Sequence, residues 1–184
     1  DSLYRLAVGK IAALGGVMVE YEPERVPFER FTMVLGADMK ADLASYLEKH
    51  ASKEITFRSV ADITDYNKKD TLNRIPYGQT LFAGMLRESL GGEELEKAKK
   101  ALHESGVLYF DKPMTEHNLD AVLSVSNMSA GMAATAAYPC LTIPMGYTEA
   151  GEPVSLTFIA RPFEEDKLLK MGYAFEKATK MRQA

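Results

Sequence analysis

Three histidines, one cysteine and one serine-bearing turn are the places where this sequence could do chemistry near neutral pH. Histidine is the side chain whose charge ordinarily changes in that range. His50, His103 and His117 stand in separate charged, helix-end or loop contexts. No pair has the i, i+4 spacing that sets two metal ligands on one helix face, so all three read as exposed or capping residues. Cys140 follows Tyr138-Pro139 and opens an apolar run. With no neighbour to lower its pKa it is expected to be a buried structural thiol. Asn127-Met128-Ser129-Ala130-Gly131 is similar to the nucleophile elbow G-x-S-x-G but lacks the first glycine, which that strained turn needs. A small-residue helix start fits it better. No Gly-x-x-x-x-Gly-Lys-Ser/Thr phosphate loop occurs. Carboxylates are abundant, but pattern alone singles out no acid–base pair.

The elements that would position these residues follow from periodicity. Leu3, Leu6, Ala7, Ile11 and Leu14 recur at helical spacing, and Gly15-Gly16 supplies a stop. Residues 17–21 are short, β-prone and flanked by glycine and proline, so a buried strand is expected there. Met39, Leu43, Tyr46 and Leu47 predict a helix ending near His50. Ser59, with Asp62 three residues on, marks the cap of another helix, with Ile63 and Tyr66 toward the core. Residues 79–90 and 93–104 predict two more helices separated by Gly91-Gly92, the second exposed and charged around Leu95, Ala98, Ala101 and Leu102. Strands are expected over 119–125, 140–145 and 154–160. In the last, Val154, Leu156 and Phe158 alternate with Ser155 and Thr157, the period of a strand with one wetter face. The connection between 140–145 and 154–160 is too short for a parallel crossover, so that pair should be antiparallel. Residues 17–21 and 119–125 are expected in the same sheet. Residues 164–182 form the clearest helix, with acids in its first turn, bases near its end, and Leu168, Met171, Phe175 and Ala178 on its buried stripe.

The whole is expected to be one α/β domain spanning residues 1–184, of ordinary size for a single core. Apolar residues make up 46% and charged residues 26%, the balance of a folded rather than a disordered chain. A formal net charge of -4 argues against nucleic acid as a partner, since phosphate binding needs a basic surface. No apolar run approaches the roughly 20 residues of a membrane span, and no basic stretch followed by an apolar core marks a signal peptide. A single cysteine fits a reducing cytoplasm. The chain begins at Asp1, inside a predicted helix, and so is expected to be a cut piece.

Four segments in the last third go further. His117-Asn118-Leu119-Asp120-Ala121-Val122-Leu123, the run from Ala136 to Gly146 around Tyr138-Pro139, the run from Pro153 to Phe163 ending Arg161-Pro162-Phe163, and Glu165 to Leu169 with Tyr173, Ala174, Phe175, Glu176, Thr179 and Arg182 occur in order. Together they resemble the "hxLDAlv", "AGYPaitvPxG", "PvGlqfigrpf" and closing-helix motifs of the amidase signature family. Upstream, Gly15 to Glu20 is similar to its "lGaevve" segment. Residues 60–63 with Asn67 are similar to its "sladlixfN" helix, and Pro76-Tyr77-Gly78-Gln79 to its "pyfgQ" turn. Ala137 and Ser155 stand where the family usually has glycine.

The resemblance implies a mixed sheet flanked by helices, present here as an incomplete part of the amidase-signature fold. It also implies amide-bond hydrolysis by a Ser-cisSer-Lys triad, in which one serine attacks while the bridging serine and the neutral lysine relay its proton. In the family all those residues precede the region matched here, so no catalytic residue is carried over and no cofactor or metal is implied. The segment between residues 119–125 and Tyr138 faces the site in relatives, which makes Asn127, Met128 and Ser129 candidates for the substrate-pocket wall. The implied partners are the missing amino-terminal catalytic half and a small-molecule amide. Exposed apolar surface on Leu3, Leu6, Ile11 and residues 128–137 would favour self-association. The alternatives are a non-catalytic binding or scaffold module with an amidase-like framework, and a component of a tRNA-dependent amidotransferase.

Overall fold

The computed structural model describes residues 2–182. In chain order the elements are α1 (Ser2–Ala13), α2 (Phe31–His50), α3 (Val60–Lys68), α4 (Thr71–Arg74), α5 (Thr80–Arg87), α6 (Gly92–Glu116), β1 (Val122–Val125), α7 (Ala130–Ala136), β2 (Cys140–Tyr147), β3 (Pro153–Ile159) and α8 (Glu165–Thr179). They fall into two compact units, one of residues 1–28 with 102–184 and one of residues 29–101.

The first unit holds the sheet, ordered β1-β3-β2. β3 pairs antiparallel with both neighbours, Ser124 and Thr142 each lying opposite Thr157. The expected antiparallel pair is therefore present, and residues 122–125 join the same sheet. The described sheet is wholly antiparallel rather than mixed. β1 and β2 run in one direction with α7 between them, and β3 has inserted into the space where they would have paired. Residues 17–21 correct the expectation: they form no strand, and Val17 is 90% exposed. A β-prone run becomes a strand only where a neighbour completes its ladder, and among the described residues none of the three strands pairs with it.

Alternation along the strands gives the sheet two unlike faces. On one, Ile143, Met145, Leu156 and Phe158 form a buried cluster with Ala7, Leu168 and Phe175, to which Tyr4, Ile11 and Met171 add partly buried area. Leu6 on α1 and Leu14 just beyond its end stay exposed; on α8 the buried turn positions are Leu168, Gly172 and Phe175, while Ala178 is exposed. On the opposite face Val122 and Ile159 pack with Phe110, Met114, Ala133, Ala136 and Tyr138. Phe110 and Met114 explain why α6 runs to Glu116 instead of stopping near residue 104. They continue its apolar stripe into this core, and that burial outweighs the one hydrogen bond Pro113 cannot donate. Gly106 lets α6 approach α7, since a Cβ there would lie 2.6 Å from Thr135 Oγ1 and 2.8 Å from the Ala136 nitrogen.

Three helices of this unit close with the same paired hydrogen bonds. After α1, Gly15 and Gly16 donate to the carbonyls of Ala12 and Ile11. Asn118 and Leu119 donate to Thr115 and Met114 after α6, and Ala137 and Tyr138 to Ala134 and Ala133 after α7. This is the Schellman arrangement, which needs a left-handed residue at its centre. Gly15 (φ 95°), Asn118 (φ 50°) and Ala137 (φ 58°) supply it. Alanine is the costliest of the three there, at the position where the resembled motif has glycine.

The second unit is helical. Ser59 caps α3 by accepting from the Asp62 amide, as its position suggests. Thr64 rather than Tyr66 is buried on that helix, and Tyr66, 39% exposed, carries the Arg74 guanidinium 3.6 Å from its ring centre. Asn67 and Gln79, which belong to separate sequence motifs, meet side chain to side chain at 3.2 Å, and Gln79 also donates to the Thr64 carbonyl.

Candidate functional site

Beyond Val125 the chain leaves β1 through a tight turn. Ser126 is left-handed (φ 48°) and donates its amide to the Ser155 carbonyl at 2.7 Å. The Met128 amide donates to Val125, and the Ala130 amide to Asn127, which closes the turn onto α7. Asn127 is exposed, and Met128 is 81% exposed. Ser129 is half-buried and lines a cavity of about 640 Å³ in this unit. The turn therefore splits the three candidates: Asn127 and Met128 face outward and Ser129 faces the cavity. Ser129 sits at the N-cap position of α7 but its side chain makes no cap hydrogen bond. Its Oγ instead accepts from Ser124 Oγ at 3.0 Å.

That bond belongs to a row of hydroxyls crossing the sheet. Ser124, Thr157 and Thr142 are cross-strand partners and so share one face. Thr157 Oγ1 lies 2.8 Å from Thr142 Oγ1 and also donates to the Ser126 carbonyl. Thr157 is 2% exposed, so the face expected to be wetter is dry at its centre and opens to solvent only at β2, where Thr142 and Cys140 are exposed. A buried hydroxyl costs little when paired and a few kcal/mol when not, and each hydroxyl of the row has a partner: Ser124 bonds to Ser129, and Thr157 to Thr142 and the Ser126 carbonyl. Ser124, Thr142 and Thr157 are not among the candidates that motifs single out. Their signal is the alternation of Ser or Thr with other residues at 124/126 and 155/157, with the single Thr142 in the third run.

Cys140 also differs from its expectation. It opens β2 and is exposed, although partial burial of the thiol raises its pKa and keeps it protonated near neutral pH. The histidines are dispersed. The His103 ring nitrogen Nδ1 lies 2.8 Å from the Thr135 carbonyl near the end of α7, His117 packs on Tyr21, and His50 packs on Tyr46. Among the described residues no three His, Cys, Asp or Glu side chains gather into a metal site, and no helix is long and apolar enough to cross a membrane. Two residues of the Tyr138 and Arg161 motifs converge on one acid: Asp111 accepts from Arg161 Nε at 3.1 Å and from the Tyr138 hydroxyl at 3.4 Å. Tyr21, at the edge of the cavity, has its pKa pushed up to about 12, first by burial and then by Tyr109 and Tyr4.

No protein-family model matches the sequence. A protein of Arabidopsis thaliana described as a probable amidase is 29% identical over 153 residues, which is 82% of this chain and 30% of that protein. The crystal structure of an amidase family protein from Bacillus anthracis superposes with a TM-score of 0.84 at 28% identity, through 99% of this chain and 36% of its own. The chain is similar to amidases in sequence and in fold. It spans about a third of the length of these amidases. A shorter match, 41% identical over 69 residues, links 38% of this chain to one subunit of the glutamyl-tRNA(Gln) amidotransferase of Thermodesulfovibrio yellowstonii. In this chain the hydroxyls of the turn after β1 accept from other groups rather than meeting a base: Ser129 from the Ser124 hydroxyl and Ser126 from the Ser155 amide. An activated serine needs a base or a lowered pKa.

Proposed function

We propose that this chain is the carboxy-terminal portion of an amide-bond hydrolase whose Ser-cisSer-Lys triad lies in the rest of the parent protein. It completes the fold there and contributes Asn127, Met128 and Ser129 to the substrate-pocket wall. The observation that carries this reading is the superposition of nearly all of this chain on about a third of an amidase-family structure. The hydroxyl row gives the role a physical form. Ser124 holds Ser129, and Thr157 holds the carbonyl of Ser126, so the turn is fixed by side chains from the sheet. A wall held in this way can orient an amide without taking part in bond cleavage.

The test compares this chain with its parent. The parent should hydrolyse a simple aryl amide and label with a serine-directed fluorophosphonate, while these 184 residues should do neither. Stoichiometric labelling of Ser129 in this chain sinks the reading. In the parent, Met128→Ala should change the ratio of kcat/KM between two amides of different bulk by about tenfold, the worth of a few methylenes in a pocket. The amidotransferase match supports a second reading, in which the parent releases ammonia from glutamine for aminoacyl-tRNA. Glutamine turnover that depends on aminoacyl-tRNA, without aryl amide turnover, selects it.

A further inference from the structure

We infer that Ser126 is a specificity-determining positioning residue: its left-handed backbone, pinned by two residues of β3, sets where Asn127, Met128 and Ser129 stand. The inference rests on the reading of those three residues as substrate-pocket wall.

Among the described residues five non-glycines have positive φ: Asn118, Ser126, Ala137, Phe163 and Lys180. Four of them have a local reason. Asn118, Ala137 and Lys180 close α6, α7 and α8, where a left-handed residue lets the last helical carbonyls be bonded. Phe163 follows Pro162 in a turn closed by the Glu164 amide on the Arg161 carbonyl at 3.1 Å, and positive φ at its third residue is that of a type II turn. Ser126 ends no helix and follows no proline. A residue held in a sparsely populated conformation persists only where its surroundings over-determine it, and such residues gather at functional sites.

At Ser126 the over-determination is complete. Its amide donates to the Ser155 carbonyl at 2.7 Å, its hydroxyl accepts from the Ser155 amide at 3.5 Å, and its carbonyl accepts from the Thr157 hydroxyl. All three of its polar groups are thus tied to β3. The Met128 amide returns to the Val125 carbonyl at 3.1 Å. Val125 to Met128 therefore form a four-residue turn with positive φ at its second residue and not at its third, the φ pattern of a type II′ turn. Glycine is the ordinary occupant of that second position. With a negative φ there the chain would run on from β1 by about 3.3 Å per residue, carrying Ser129 roughly 10 Å onward. It would then leave the Ser124 hydroxyl that it meets at 3.0 Å. One backbone dihedral decides that Met128 faces outward and that Ser129 lines the cavity.

Two substitutions separate the backbone from the hydroxyl. Ser126→Gly accepts positive φ and loses only the hydroxyl. Ser126→Thr keeps the hydroxyl and adds a β-branch, which opposes positive φ. Both are made in the full-length parent, where kcat and KM for two amides of different bulk are measured alongside hydrogen exchange at the backbone amides of residues 126 and 128. Ser126→Gly should keep the ratio of kcat/KM between the two substrates within about twofold, with exchange as in the wild type. Ser126→Thr should change that ratio about fivefold, through KM and with kcat for the smaller amide held, and should speed exchange about tenfold. A threonine variant with the wild-type ratio overturns the inference. A glycine variant whose ratio shifts also overturns it, because the hydroxyl would then be what matters. If the wild-type parent turns over neither amide, the hydrolase reading falls and exchange decides alone. Faster exchange in the threonine variant only then keeps the positioning role, and any other pattern removes it.

Discussion

On one face of the sheet Leu156, Phe158, Ile143 and Met145 are sealed under α1 and α8; on the other, the residues between them carry the hydroxyls of Ser124, Thr157 and Thr142. The same three strands build both faces, and only alternation separates them. The apolar face contributes through area removed from water, about 1.5–3 kcal/mol for each large side chain. The hydroxyl face contributes about a kcal/mol per hydrogen bond, and its value lies in direction. Burial of this kind tolerates any partner of the right volume, whereas a hydroxyl row fixes where one turn sits. A turn held in register needs the second kind of face, and the first kind supplies the stability that offsets its cost.

The largest expected effect breaks the apolar face. Leu156 is fully buried, and Leu156→Ala should cost about 2–5 kcal/mol, read as a lower denaturant midpoint. A cost below about 1 kcal/mol would mean that this face does not carry the fold. On the other face, Thr157→Val keeps the shape and removes the donor to Ser126 and the partner of Thr142. It should cost about 1–2 kcal/mol. On the proposed reading, in which the turn binds substrate rather than reacts, it should also raise KM more than it lowers kcat in the parent protein. A loss confined to kcat would show the turn to be part of the chemistry.

Two smaller effects sharpen the contrast. Ala137 is exposed and left-handed at the end of α7, so Ala137→Gly relieves about 1 kcal/mol of backbone strain, partly offset by the greater freedom of the unfolded glycine. The expected net gain is about 0.5 kcal/mol, visible as a slightly higher Tm; a loss would mean that the alanine methyl makes a contact worth more than the strain. Tyr21 supplies a pH test. Below pH 10 the phenol is protonated whether folded or unfolded, while between 10 and about 12 only the folded state keeps the proton. Stability should therefore fall as pH rises through that window, and Tyr21→Phe should flatten the slope. An unchanged slope would assign it to other tyrosines or lysines.

Ser59, Asn118 and residues 140–145 with 154–160 behaved as local chemistry requires. A capping serine, an asparagine able to turn left-handed and a short link between two alternating runs each carry their instructions within a few residues. The likeness to amidases, too, was readable from motifs in sequence order. The candidate turn was legible in place but not in orientation, since nothing in Asn127-Met128-Ser129 says which side chain turns inward.

What the sequence determined by itself was most of the helices, the three strands of the sheet, the antiparallel β2–β3 pairing and the likeness to amidases, while α4 and the second half of α6 were not read from it. Tertiary structure decided the rest, and did so through neighbours. Residues 17–21 have the composition of a strand but stand outside the described sheet. Cys140 opens an apolar run yet lies on the exposed side of β2, and Thr157, polar by type, is buried at the centre of the hydroxyl row. Composition sets what a segment can pair with or bury; whether it does so depends on which surface the fold brings against it, and that surface comes from residues far away in the chain.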